Sequence, residues 1–421
     1  MSKYKRYERY KDSGIEWIGE IPEHWGIIKL KFLSTIFKGK NLKELTDEWR
    51  EEILPYLSME YLRNSGDTLT LYAYPEKNLV TVNNGDILIL WDGSNAGEIL
   101  EGKNGILSST MAKIVPNNIV TRYLYWFLKG IEKFFKGNTV GMGIPHVNGE
   151  ILKNHLVLLP NLEEQNSIAN FLDQKTAEID SLIADKKKLI ELLQEKRQAI
   201  ITEAVTKGLN PNVRMKDSGI EWIGEIPEHW EVKKLKHVSN ITMGQSPKSE
   251  ECSYDEIGVP FLQGNAEFTN VHPIPKMYCN TANKFSKVND ILLSVRAPVG
   301  AINISDRVYG IGRGLCAITA KKVIMKYLWY SLNVSLEELF IKSKGSTFEA
   351  VTVTDVQNLL IILPPKNEQD DIVNFLDKKT AEIDGLVIEI KKQIEKLKEY
   401  RQSLISEAVT GKIYVRDYAI D

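Results

Sequence analysis

Cysteine is scarce in this chain: 3 residues in 421, Cys252, Cys279 and Cys316, all in the second half and none in C-x-x-C spacing. That pattern excludes a zinc ribbon and gives no disulfide framework, so the expectation is buried, inert thiols. No apolar run approaches the roughly 18 residues that a membrane-spanning helix needs. The opening MSKYKRYERYKDSG lacks the apolar core of a secretory signal, which predicts a cytoplasmic protein. Net charge is also nearly absent, −2 from 54 Lys and Arg against 56 Asp and Glu, so the chain as a whole carries no basic signature of nucleic-acid binding. A hydrophobic content of 43% over this length allows two to four ordinary domains.

Catalytic signatures are missing too. GEILEGKN at 97–104 has the spacing of a phosphate-binding loop, but Asn104 stands where Ser or Thr would hold magnesium, and the following GILSS reads as a strand, not a helix. Asp92, Glu101 and Lys103 have the composition of a nuclease set in which paired acids hold a metal. The second half carries Arg296 and Asp306-Arg307 at the matching places, so the set is not repeated. His24 and His229, each beside a tryptophan, read as structural.

What is present is a duplication. KDSGIEWIGEIPEHW occurs at 11–25 and again, unchanged, at 216–230. FLDQKTAEID at 171–180 meets FLDKKTAEID at 375–384, and LPYL, GDILI, YLYWFL and HLVLLP each find a weaker counterpart in the same order. Each copy has the identical segment, then short strand-like runs divided by Gly, Asn and Pro turns with one apolar helix, then a long helix. The first long helix is predicted from Glu163 to about Lys207, free of Pro and Gly, with Asn161 and Glu164 as a capping box and Gly208 after its end. In the second, Leu376, Ile383, Ile390, Leu397 and Leu404 fall seven apart. Each stripe needs a cover, and the simplest is the other helix, antiparallel.

The charge is unevenly spread. Residues 102–140 carry six Lys or Arg against one acid, and 307–345 carry seven against two, +5 in each case. Basic excess in both globular parts fits two phosphate-facing surfaces. Polar loops recur beside it. In the first copy the candidates for DNA contact are Lys38, Lys40, Asn41, Ser58, Trp91, Ser94, Asn95, Ser108, Lys136, Asn138 and Thr139. In the second they are Gln245, Ser246, Lys248, Gln263, Asn265, Arg296, Arg313, Lys344, Ser346 and Thr347. Such side chains hydrogen-bond base edges and phosphates, and the alignment sets Ser58 with Gln263, Trp91 with Arg296 and Ser108 with Arg313. Two heads of one shape with different side chains would read different sequences.

The repeated segment with KKLKHV, GlnSerProLys at 245–248, LLSVRAPVGA at 292–301, GSTFEAV at 345–351, LPPKNEQDDIVNFLDKKTAEID at 363–384 and RQSLISEAVTG at 401–411 together resemble the specificity subunits of type I restriction-modification systems, over the whole chain. The resemblance implies an α+β fold: a tandem duplication of a mixed α/β target recognition domain plus a long helix, the two helices pairing as an antiparallel coiled coil. The implied domains are 1–160 and 216–364 for recognition, and 161–215 and 365–421 as helical spacers. It further implies a bipartite, gapped site on double-stranded DNA and docking of two modification subunits, with a restriction subunit joining the larger complex. S-adenosylmethionine, ATP and magnesium would sit on those partners, leaving this chain without cofactor or catalytic residue. The alternatives are a magnesium-dependent nuclease built on Asp92, Glu101 and Lys103, or a coiled-coil scaffold without sequence readout.

Overall fold

The computed structural model describes residues 4–63, 70–141, 143–221, 223–247, 251–344 and 351–416, with the backbone only over 337–344. It divides into two compact units, 1–187 with 391–421, and 188–390.

In the first unit the repeated segment forms a hairpin, Tyr10–Asp12 against Glu20–Pro22. Its turn places Gly14 and Gly19 at φ +67° and +68°, a region that side-chain-bearing residues avoid. Ile21 and Trp25 are fully buried beneath it. Gly26–Lys29 then pairs antiparallel with Leu156–Leu159, closing the globular part just before the helix Leu162–Lys207 begins. Between them lie two four-stranded sheets. One runs Ser34–Lys38, Met111–Pro116, Ile87–Leu90, Ile99–Glu101, all antiparallel. The other runs Tyr72–Ala73, Leu54–Leu57, Gly105–Leu107, Thr81–Val82, with its middle pair parallel. All four residues of Ile87–Leu90 are buried, which is why that run is continuously apolar and does not alternate. The YLYWFL motif lies on the helix Thr121–Gly130, with Tyr123 to Leu128 buried.

The second unit repeats this plan. Met215–Asp217 pairs with Glu225–Pro227, Glu231–Lys234 with Leu360–Leu363, and two four-stranded sheets follow. The antiparallel one keeps its order; the other keeps its three shared strands but carries its fourth, Cys252–Ser253, on the opposite edge from Thr81–Val82. The junction from sheet to long helix is held alike in both. Gln165 donates to the Pro160 carbonyl at 2.9 Å and accepts from the Val120 N–H at 2.8 Å; Gln369 does the same with Pro364 and Ile324 at 2.8 and 2.9 Å. The capping box is only half formed. Asn161 accepts from the Glu164 N–H at 2.9 Å, but the Glu164 carboxylate is 2% exposed and turns to His24 Nε2 at 2.8 Å. Glu368 likewise receives His229 and the Trp230 indole, at 2.7 and 2.9 Å, so both repeat histidines are structural.

The long helices, Leu162–Lys207 and Lys366–Val409, are each shared between the units. In the first unit Arg401 bonds Asp180 at 3.1 Å and Lys186 bonds Gln393 at 2.7 Å; in the second Arg197 bonds Asp384 at 3.1 Å. Partner numbers fall as their mates rise, so the pairing is antiparallel as expected, and the arginine–aspartate pair is one contact made twice. Leu376, Ile383, Ile390 and Leu404 of the heptad stripe are buried. Each helix end completes a globular core. Ile201, Ala204 and Val205 join the main core of the second unit, where Tyr327 donates to the Val205 carbonyl at 3.4 Å. In the first unit Gln402 donates to the Gly130 carbonyl at 3.2 Å, and the Tyr414 N–H bonds the Lys5 carbonyl at 2.8 Å.

The thiol expectation holds for Cys316, which is buried and free, and fails for the other two: Cys252 and Cys279 form a disulfide. The strand Cys252–Ser253 pairs with Met277–Cys279 so that the two cysteines face each other, their Cα atoms 4.3 Å apart. Sequence spacing carries no trace of that register. Closing a loop over a separation of 27 residues is worth about 3.5 kcal/mol. Cys279→Ser is therefore expected to lower stability by about that amount in urea unfolding, and reductant should impose the same loss on the parent chain. Equal midpoints with and without reductant would contradict this.

His155 is packed among Phe127, Phe134 and Phe135, and its Nε2 has no hydrogen-bond partner. The Leu30 N–H bonds its carbonyl as the Leu235 N–H bonds that of Leu359, so leucine stands at this position in the second unit. Burial pushes the His155 pKa down from 6.5 to about 4. The unfolded chain takes up this proton below about pH 6.5 and the folded chain only near 4, so the stability is complete above that window and is lost as pH falls through it. Its size is at most about 3 kcal/mol. His155→Leu should flatten the decline of the denaturation midpoint between neutral pH and about pH 4.5; an unchanged slope would count against this assignment.

Candidate nucleic-acid interface

In each unit four chain crossings meet at one end of the paired sheets. In the second they are the loops after Met243, after Leu262 and after Ser294, and the turn from Ile311 to Leu315. Backbone bonds tie them together: Gly244 N to Leu315 O at 2.9 Å, Gln245 N to Ile311 O at 2.8 Å, Gly312 N to Leu262 O at 2.8 Å and Val295 N to Gly314 O at 2.9 Å. Arg313 N also donates to Ser246 Oγ at 3.2 Å. The first unit repeats the frame with Gly39 N to Met111 O at 3.0 Å, Lys40 N to Leu107 O at 3.3 Å and Trp91 N to Thr110 O at 2.7 Å. Glycine is required at the crossing itself. A Cβ on Gly39 would lie 2.1 Å from Ser108 O, and one on Gly244 2.1 Å from Gly312 O.

These bonds set the correspondence between the copies and correct the sequence alignment at two places. Trp91 matches Val295 and Asp92 matches Arg296; Ser109, not Ser108, matches Arg313. One residue fewer between Leu262 and Ile291 than between Leu57 and Ile87 shifts the offset from 205 to 204.

The predicted contacts in the second unit converge. Gln245, Gln263, Arg296 and Arg313 are exposed around this frame, Ser246 is tied to Arg313, and Asn265 opens a short turn that receives the Phe268 N–H at 3.0 Å. Val351 N bonds Val295 O at 2.9 Å and so brings the chain back beside Arg296. Lys248, Ser346 and Thr347 lie outside the described residues, as does the Lys344 side chain.

The first unit is more divided. Lys38, Lys40 and Asn41 are exposed on one loop, and Ser94 and Asn95 on another beside the half-buried Trp91. Thr139 pairs with Val147, whose N–H bonds Trp91 O at 2.9 Å, so this hairpin joins the same end. Ser58 instead accepts the Tyr61 N–H at 3.1 Å, and Asn138 donates to Phe134 O at 2.8 Å. Ser108 is 5% exposed and bonds Thr110 at 3.1 Å, so it holds the turn and offers nothing outward. Lys136 is paired with Glu132 at 2.6 Å.

Much of the local basic excess is taken up by ion pairs within each unit. Lys113 pairs with Asp86 at 2.6 Å, Arg122 with Glu101 and Asp173 at 2.7 and 2.6 Å, and Arg307 with Asp306 at 3.1 Å. Desolvation and these two carboxylates act oppositely on Arg122, and the net effect raises its pKa. Among the described residues, exposed cations at the loop ends include Lys38 and Lys40 in one unit and Arg296 and Arg313 in the other.

The nuclease alternative fails on geometry. Glu101 lies opposite Ile87 on the neighbouring strand, and Asp92 lies five residues further along, roughly 16 Å away at strand rise. Asp92 faces Lys38 at 3.2 Å, while Lys103 donates to the Tyr61 carbonyl at 3.3 Å. Among the described residues no group of three His, Cys, Asp or Glu could hold a metal ion, and none of the helices is long and apolar enough to cross a membrane.

The profile of the type I restriction modification DNA specificity domain matches residues 22–192 and again 227–396. The chain is 34% identical to the type I restriction enzyme MjaVIII specificity subunit of Methanocaldococcus jannaschii, over 94% of this chain and 95% of that one. It is also 34% identical to the putative MjaX specificity subunit of the same organism, over 99% of each. A solved chain described under "complex assembly and conformational transition of the type I R-M system" superposes with a TM-score of 0.73, covering 92% of this chain and 98% of that one; at 22% identity it speaks to the fold alone. With both halves matched and the whole length covered, the chain belongs to the type I restriction-modification DNA specificity family.

Proposed function

We propose that the chain is the sequence-reading subunit of a type I restriction-modification complex, with one loop cluster for each half of a gapped, asymmetric site on double-stranded DNA. The observation that carries this reading is the duplicated frame: the same backbone crossings occur twice, with Lys38, Lys40, Trp91 and Asp92 on one and Met243, Gln245, Val295 and Arg296 on the other. A conserved scaffold with exchanged polar tips is what two readings of different base sequences require. Residues 1–160 and 216–364 act as recognition domains, and 161–215 and 365–421 as spacers. The two repeated segments and the helices seat two modification subunits. S-adenosylmethionine belongs to those partners, and ATP and magnesium to the larger complex with its restriction subunit, in the cytoplasm. This chain supplies position and specificity, and no bond is made or broken on it.

Continuous helices make the separation of the two readings a matter of residue number, each residue adding about 1.5 Å. Inserting four residues, about one turn, into both long helices at matched places is expected to lengthen the unread gap while both half-site sequences stay the same. Half-sites that change while the gap stays fixed, in duplexes selected by the assembled complex, would refute the reading.

A further inference from the structure

The second position after the strands Ile87–Leu90 and Ile291–Ser294 carries opposite charge in the two units: Asp92 in the first, Arg296 in the second. Their equivalence is structural, since the preceding residues Trp91 and Val295 make the same backbone bonds, to Thr110 and Gly314 on one side and from Val147 and Val351 on the other. The strand facing them has changed in concert. Lys38 pairs with Ala112 where Met243 pairs with Cys316, so lysine accompanies aspartate and methionine accompanies arginine.

The first unit therefore presents a donor and an acceptor side by side. Lys38 Nζ is 3.2 Å from Asp92 Oδ2, and the two side chains are 48% and 33% exposed. Lys38 also lies over the Trp91 ring, 5.5 Å from its centroid, which limits where the ammonium can go. Their mutual bond uses one of three ammonium protons and one of about four carboxylate lone pairs, and the rest remain for a ligand. In the major groove a base pair presents its own donor and acceptor side by side: the keto oxygen of G or T and the amino group of C or A. These are hydrogen-bonded to each other and so about 3 Å apart. A lysine–aspartate pair at that spacing matches them in one orientation only. In the second unit Arg296 has no ion-pair partner among the described residues, and Ser294 Oγ fixes its carbonyl at 3.0 Å. A lone guanidinium fits the two acceptors of guanine, O6 and N7.

We infer that Lys38 and Asp92 together read one base pair of the first half-site by its keto–amino orientation, accepting G·C or T·A and rejecting C·G and A·T, while Arg296 reads a guanine in the second half-site. Asp92, which the sequence offered only to a nuclease, is thus a specificity-determining residue. The inference rests on the proposed function, since it takes these loop ends as the DNA-facing ones.

The test uses the full chain assembled with its modification subunit and duplexes varied one position at a time. The parent complex is expected to tolerate G·C and T·A at one position and to lose binding when that pair is inverted. Asp92→Asn, whose amide both donates and accepts, should cut this orientation preference by roughly tenfold or more and leave the other half-site unchanged. Arg296→Gln should relax one guanine in the other half only. Duplexes lacking the amino group at the read pair, with purine for adenine or pyrimidin-2-one for cytosine, should bind the parent protein weakly, a readout independent of any variant's folding. The inference is overturned if the Asp92 variant keeps the parent preference, if it weakens all sequences alike with an altered salt slope, as a phosphate contact would, or if amino-free pairs bind normally. A parent complex that selects no motif at all would instead remove the proposed function.

Discussion

The fold rests on the way each globular core is finished. Neither repeat covers its own core with its own helix alone: the last turns of the first helix lie in the second unit, and those of the second helix in the first. At these ends the packing leaves no room for more atoms. A Cβ on Gly208 would meet the Trp230 ring at 3.0 Å, and one on Gly411 would meet Pro22 at 2.3 Å. Both glycines also hold φ near +70°, at +77° and +69°, so the helix stop and the tryptophan seat are one constraint. Swapping helix ends in this way makes antiparallel pairing a condition of folding.

That constraint accounts for the unchanged 15 residues. Ile21 and Ile226, Trp25 and Trp230 are the buried floor on which a helix end rests, and His24 and His229 tie it to Glu164 and Glu368 at the helix starts. The segment serves the start of one helix and the end of the other at once, so substitution is opposed from two sides. At the far end of each sheet pair the contacts shared by the two copies are between backbone atoms. Side chains there are free to differ, and the exchange of Lys38 and Asp92 for Met243 and Arg296 changes the electrostatics while the backbone bonds of Gly39 and Gly244, Lys40 and Gln245, and Trp91 and Val295 are kept.

What could be read beforehand follows from the range of each interaction. The duplication, both long helices and the buried central strands were legible, because periodicity and apolar runs are local. The glycine crossings at 39 and 244 were visible as repeated polar loops, and Gln245, Gln263, Arg296 and Arg313 do meet there. Three things escaped because they depend on register between distant strands. Cys252 reaches Cys279 only through an antiparallel pairing. Lys113 and Arg122 are neutralised by Asp86 and Asp173, acids outside the segment whose charge was summed. One residue fewer in the second copy placed Asp92, not Trp91, opposite Arg296, although GDILI and NDILL already carried the shorter offset.

The claim that one duplicated frame gives two independent readings is tested most directly by selecting bound duplexes from a random library. The chain would be assembled with its modification subunit at a stated salt concentration, once as the parent and once with residues 26–158 exchanged for those of another family member. The account predicts a gapped motif with two dissimilar halves, of which the exchange replaces one and preserves the other together with the gap. Replacement of both halves, or binding that depends on salt and not on sequence, would contradict it.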